Sequence, residues 1–155
     1  WLQRRERVDA ATLADEVVQA VDDRLTPRGV QVVKAPVQGT WAVEGDGFLL
    51  RRALGNLLDN AIAFSPAGAV VELAVESDAD QVRFIVRDRG PGVPDYAHER
   101  VFERFYSLPR PDNGQRSSGL GLPFVREVMR LHGGEAMLHN RPDGGAEAVL
   151  SLPAV

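Results

Sequence analysis

Cysteine is absent from the 155 residues, which removes disulfide frameworks, thiolate metal sites and cysteine nucleophiles together and fits a reducing compartment. The fold must hold by burial. No apolar run approaches the roughly 20 residues that span a bilayer. The opening Trp1-Leu2-Gln3-Arg4-Arg5 carries neither Met nor a signal-peptide pattern, so the chain reads as a soluble piece of a longer protein. A basic excess is missing too. Eighteen basic against 22 acidic residues give a net charge of −4, which excludes holding nucleic acid or anionic lipid by bulk charge. What remains, 26% charged and 44% hydrophobic residues, fits one globular domain with its own core and no internal repeat.

Residues 1–8 are charged and lack apolar periodicity, as expected for the tail of a preceding element, and a domain is expected over 9–155. Leu13, Val17, Val18, Val21 and Leu25 recur at helical spacing and predict a helix from Asp9 to Leu25, ended by Thr26-Pro27-Arg28-Gly29. Val30–Val33 and Trp41–Val43 predict two short strands joined by a Pro/Gly-bearing connection. Asp46 is placed to cap a helix from Phe48 to Phe64, whose Leu50, Leu54, Leu57, Leu58 and Ala61 share one stripe and which Ser65-Pro66-Ala67-Gly68 stops. Val70–Val75 and Gln81–Val86 predict a hairpin. From Arg89 to Ser118 the chain is rich in Pro, Gly and charge, with one short helical patch near 98–105, as a lid or binding loop would be. A helix from Leu122 to His132, ended by Gly133-Gly134, precedes strands at 136–138 and 146–150 around the turn Pro142-Asp143-Gly144-Gly145. Helices and mostly antiparallel strands thus intermix in an α/β pair of layers.

Three patterns carry chemistry. In Asn56-Leu57-Leu58-Asp59-Asn60 two asparagines sit inside a helix, where they cost propensity. Spaced i, i+4, they share a face away from the leucine stripe and can point into a cleft. An amide oxygen is a hard, neutral ligand suited to Mg²⁺, although a solvated polar face fits the same spacing. Asp88-Arg89-Gly90-Pro91-Gly92 follows a strand. A carboxylate there, with glycines admitting a planar ring, can accept a hydrogen bond from an exocyclic amine such as adenine N6, although a Gly-Pro turn accounts for it equally. Ser118-Gly119-Leu120-Gly121-Leu122 opens a helix with backbone N–H groups suited to phosphate, or simply caps it. Phe102 and Phe105 in Val101–Tyr106 lie one helical turn apart in the long loop, as anchors of a lid would.

In order and spacing these patterns resemble the N, G1, F and G2 boxes of the catalytic, ATP-binding domain of sensor histidine kinases, over almost the whole chain from Asp9 to Pro153. The lid sequence Phe105–Pro111 with Asn113–Ser118 is similar to that of the CreC-type subgroup. The resemblance implies the Bergerat ATP-binding fold: a two-layer α/β sandwich with a mixed, mostly antiparallel sheet of about five strands, about three helices and a long ATP lid. It implies ATP and Mg²⁺ as cofactors. Asn60 would be the metal ligand, Asn56 its partner toward the metal shell and phosphates, and Asp88 the adenine reader with Gly90 and Gly92 lining the base pocket. Phe102 and Phe105 would border the nucleotide, and Gly119, Leu120 and Gly121 would offer amides to the phosphates.

The implied reaction is transfer of the ATP γ-phosphoryl group to a histidine on a separate helical dimerisation domain, in a homodimeric full-length protein, then to a response-regulator aspartate. Residues 1–8 would be the remnant of that helical domain or its linker. The membrane would be met only through missing segments, with this domain on the cytoplasmic side of an inner-membrane sensor, and no nucleic-acid partner is implied. ATP-hydrolysing relatives typically carry a water-activating glutamate at the position of Asn56, and an amide is no base at pH 7, so slow hydrolysis is expected. His98, His132 and His139 lack a phosphoacceptor setting. Ala63 and Ser107 stand where many members have basic residues. Arg104, Arg110 and Arg116 are left to meet phosphate charge, Arg116 beside the glycine turn being preferred. A serine kinase of the anti-sigma type and a degenerate nucleotide-binding interaction module are the rival readings.

Overall fold

The computed structural model describes residues 2, 4–22, 29–78, 80–90, 121–142 and 144–155. Strand β1 (Glu6–Asp9) runs straight into helix α1 (Ala10–Asp22). Asp9 starts the helix by accepting the Thr12 N–H at 2.9 Å and the Thr12 hydroxyl at 2.8 Å. Leu13, Ala14, Val17 and Val21 then bury one face of α1. Strands β2 (Gln31–Lys34) and β3 (Ala42–Gly45) follow. They enter different sheets: β2 pairs in parallel with β4 (Val70–Ser77), and β3 pairs antiparallel with β1. Residues 6–8, which the sequence offered only as charged tail, therefore lie in a strand of this domain opposite Val43–Gly45.

Helix α2 (Gly47–Phe64) has Asp46 as its N-cap, accepting the Phe48 and Leu49 N–H groups at 3.0 and 3.2 Å. It stops at Ser65, whose backbone is extended as a residue before proline must be, and whose hydroxyl donates to the Ala61 carbonyl at 2.7 Å. Strand β5 (Gln81–Arg87) completes the expected hairpin with β4. Helix α3 (Gly121–Leu131) ends in a Schellman motif, Gly134 N–H to Met129 O and Gly133 N–H to Arg130 O, with Gly133 at φ +72°. Strands β6 (Glu135–Asn140) and β7 (Ala146–Pro153) form the closing hairpin.

The main sheet has the order β2-β4-β5-β7-β6, with only the β2–β4 pair parallel. Its strands alternate. Val71, Leu73, Val75, Val82, Phe84, Val86, Leu150 and Leu152 share one core with Leu50, Leu54, Leu57 and Leu58 of α2 and Val125, Val128 and Met129 of α3. The opposite parity carries Glu72, Glu76, Arg83, Arg87 and Glu147 on the other face. Among the described residues, three helices on one face of a mixed, mostly antiparallel five-stranded sheet are the two-layer α/β arrangement expected. No helix among the described residues is long and apolar enough to cross a membrane.

Candidate functional site

Helix α2 is the spine of the site. With its leucines turned to the sheet, Asn56 and Asn60 fall on the opposite side and are half-buried rather than solvated. The start of α3 lies beside them: a Cβ on Gly121 would stand 3.9 Å from Asn60 Nδ2. Gly121, the first residue of α3, thus lies beside Asn60.

Asp88 enters from the end of β5. Its Oδ1 accepts two backbone N–H groups, Gly90 at 2.9 Å and Ala146 at 3.0 Å. Its own N–H donates to the Ala146 carbonyl at 2.9 Å, and Arg141 Nη1 donates to its carbonyl oxygen at 3.0 Å. One carboxylate oxygen is therefore fixed by the fold, and no hydrogen bond to the other is found among the described residues. Burial raises the carboxyl above the ordinary range, against the lowering effect of the Gly90 and Ala146 N–H groups and of Arg141. A partly desolvated carboxylate with a spare acceptor suits a neutral N–H donor such as an exocyclic amine.

Gly90 joins this end to α2, because a Cβ there would run into the Phe64 carbonyl oxygen. Phe64 lies one helical turn beyond Asn60. Gly90, bonded to Asp88, thus packs at the C-terminal end of α2, and Gly121 packs beside Asn60 one turn earlier on the same helix. Gly92, Phe102, Phe105, Arg116, Gly119 and Leu120, with Arg104, Arg110, His98 and the helical patch near 98–105, lie outside the described residues.

The sequence missed the clamp on Asp88. Gly145 holds φ +87°, and a Cβ on it would collide with the Asp88 carbonyl, so Gly144-Gly145 is more than a hairpin turn: it brings Ala146 N–H to the carboxylate. The only signal was the doubled glycine. The other described histidines are engaged in the fold: His132 is buried between helix ends, and His139 Nε2 meets Glu147 at 2.9 Å. No three His, Asp or Glu side chains gather into a metal site among the described residues. A metal at Asn60 would rest on an amide and on oxygens that an anionic ligand brings, a donor set that Mg²⁺ accepts.

Residues 45–155 match the family described as histidine kinase-, DNA gyrase B-, and HSP90-like ATPase. The chain is 48% identical over 145 residues to the sensor protein CreC of Escherichia coli (strain K12), covering 94% of this chain and 30% of CreC. Among solved structures, the mycobacterial sensor histidine kinase MprB matches with a TM-score of 0.79 at 30% identity, over 97% of this chain and 98% of that one. The ATP binding domain of PrrB from Mycobacterium tuberculosis matches with a TM-score of 0.75 at 33% identity, with the same coverage of both chains. The chain spans about a third of the length of the curated relatives it matches. On the strength of the site and of these matches, the chain belongs to the histidine kinase-, DNA gyrase B- and HSP90-like ATPase family, on its sensor histidine kinase branch.

Proposed function

We propose that this chain is the ATP-binding catalytic domain of a two-component sensor histidine kinase. It holds ATP with Mg²⁺ and presents the γ-phosphoryl group to a histidine on a separate helical dimerisation domain, from which a response regulator takes it. The residues ahead of β1 lead in from that helical domain, and the domain works on the cytoplasmic side of a membrane-anchored sensor. The observation that carries this reading is that Gly121 meets Asn60 on α2 while Gly90, bonded to Asp88, meets the end of the same helix at Phe64.

In that site Asp88 accepts the adenine amine with its unfixed oxygen, and Gly90 leaves room for the base. Asn60 is the side chain to hold Mg²⁺, which when bound neutralises phosphate charge. Gly121, with Gly119 and Leu120 before it, offers amides at the start of α3, where the helix dipole favours an anion. Gly92, Phe102 and Phe105 complete the base pocket and lid, and Arg116 meets phosphate from the lid. Asn56 orients the phosphates and, being an amide, activates no water. The domain's contribution is to position ATP and offset its charge, while the nucleophile arrives from elsewhere.

The test is titration of a fluorescent ATP analogue with and without Mg²⁺ into the wild-type chain and the Asn60→Asp and Asp88→Asn variants. Loss of the Mg²⁺-dependent part in the first and of most binding in the second is expected. Undiminished binding in both overturns the site. Transfer is then followed as acid-labile phosphate on the helical domain of the full-length protein, and silence despite bound ATP would reduce this domain to an interaction module.

A further inference from the structure

The asparagine face of α2 continues toward the start of the helix. At 100° per residue, Arg52, Asn56 and Asn60 lie within about 80° of one another, whereas Arg51 points about 100° further round from Arg52. Arg51 reaches Glu16 at 3.5 Å. Arg52 behaves differently: no carboxylate among the described residues pairs with it, and its guanidinium carbon sits 5.8 Å from the Phe48 ring centroid and 5.7 Å from that of Phe124. Phe48 is one turn before Arg52 on α2, and Phe124 is three residues after Gly121 on α3.

Two rings therefore hold a cation beside the site while its N–H donors meet no acidic partner among the described residues. Phe48 keeps 55% of its surface exposed, so its ring contributes less to the core than to this contact. A guanidinium immobilised in advance loses less freedom on meeting an anion, and its planar fork matches phosphate oxygens.

The site also has a direction. The base end is at Phe64 and Asp88, and the asparagines follow toward the N-terminus of α2. Twelve residues separate Phe64 from Arg52, roughly 18 Å of helix. A nucleoside triphosphate carries its base and terminal phosphate at opposite ends, so one that starts at Asp88 and passes Asn60 has its last phosphate nearest Asn56 and Arg52.

We propose that Arg52, held by Phe48 and Phe124, is the contact for the terminal phosphate and the residue by which this domain tells a triphosphate from a diphosphate. This inference rests on the nucleotide reading above and adds to it a positioning residue for the group that is transferred. The α2–α3 pair thereby gains a second role, since Phe124 couples the start of α3, where the glycine turn ends, to the cation that waits on α2.

The experiment measures ATP, ADP and AMP affinities, with Mg²⁺, for the wild-type chain and for Arg52→Gln, Arg52→Lys, Arg51→Gln and Asp88→Asn, together with docking of the helical domain in the full-length protein. Arg52→Gln should weaken ATP about tenfold and leave ADP and AMP within about twofold, the size of one charge-assisted hydrogen bond. Arg52→Lys should recover part of the loss, and Arg51→Gln should change none of the three. Asp88→Asn should weaken all three nucleotides alike. If Asp88→Asn does so while Arg52→Gln changes ATP and ADP equally, or neither, the nucleotide reading stands and the Arg52 inference is overturned. Unchanged ATP affinity with weakened docking of the helical domain assigns Arg52 to that partner and also overturns it. If the wild-type chain binds no nucleotide, both readings fall together.

Discussion

His132 Nε2 accepts the Asp46 backbone N–H at 3.0 Å, while Nδ1 of the same ring lies 2.7 Å from the Val128 carbonyl. One imidazole thus ties the end of α3 to the residue that caps α2, in the tautomer that carries its proton on Nδ1. The ring is 7% exposed, and a Cβ on Gly45 would run into its Cδ2 and Nε2. The helix that begins at Gly121 is in this way fixed to the helix that carries the asparagines.

Removing either side of this contact should destabilise the domain. His132→Ala leaves the Asp46 N–H without its partner and Gly45→Ala overfills the ring's place, each costing about 1–3 kcal/mol. In the double variant the Gly45→Ala cost should shrink, because the ring it meets is gone. Urea unfolding of the four proteins closes the cycle, and strict additivity would show that the two residues do not share this contact.

The glycines around Asp88 separate stability from binding. Gly145→Ala places a side chain at φ +87° and against the Asp88 carbonyl, so it should destabilise by about 1–2 kcal/mol or more and weaken nucleotide binding by moving the Ala146 N–H. Gly90→Ala pushes only the segment after β5 off the Phe64 carbonyl and should lower affinity at least tenfold with a smaller change in melting temperature. Calorimetric melts beside nucleotide titrations decide it. A Gly90→Ala protein that binds normally would show that the close approach to α2 has no part in the site.

Asp88 should be a liability until its ligand arrives. Its carboxyl is raised by burial, so the folded state holds the proton more readily than the unfolded chain. The resulting penalty is absent below the unfolded value, grows as pH rises through the interval up to the folded value, and is complete above it. Asp88→Asn keeps an acceptor oxygen for Gly90 and Ala146 and removes the charge, so at pH 7 it should melt at a higher temperature than wild type while binding nucleotide about 10–100-fold more weakly. The stability gain should vanish below pH 4. A variant less stable than wild type at pH 7 would count against burial as the source of the shift.

How far the site was legible follows from the range of the interactions involved. Asn56 and Asn60 stood out because helix propensity and a 3.6-residue period are local, and the Asp46 cap and the 70–87 hairpin were legible for the same reason. The Ala146 N–H that fixes Asp88 lies 58 residues away, and nothing near Asp88 announces it. Arg52 reads as one of two surface arginines until α3 brings Phe124 over it. Strand β1 has one apolar residue in Glu6-Arg7-Val8-Asp9 and so shows no alternation, and its strand character comes from pairing with β3. The separation of β2 and β3 into different sheets was equally hidden, since a strand's own residues fix its two faces but not its neighbour.

The exposed face of the main sheet should control acid stability. Glu72, Arg87, Glu147 and His139 stand directly opposite one another across β4, β5, β7 and β6. Arg87 donates to Glu147 and to Glu72 at 2.7 Å each and lies 3.8 Å from Glu76, and His139 meets Glu147 at 2.9 Å. Burial alone would raise the Glu147 carboxyl, but the hydrogen bonds from Arg87 and His139 outweigh it and leave it lowered. A lowered carboxylate contributes stability above its unfolded value of 4.5 and loses it as pH falls through its folded value. Arg87→Met strands three acids on one face without their cation and should cost about 1–3 kcal/mol at pH 7. As pH falls from 4.5 through the lowered folded value, Glu147 takes up its proton in the wild type, and the gap between variant and wild type should narrow. Urea unfolding across pH 3–7 measures it, and a gap that stays constant through that range would show that Arg87 acts by packing its stem over the sheet and not by pairing charge.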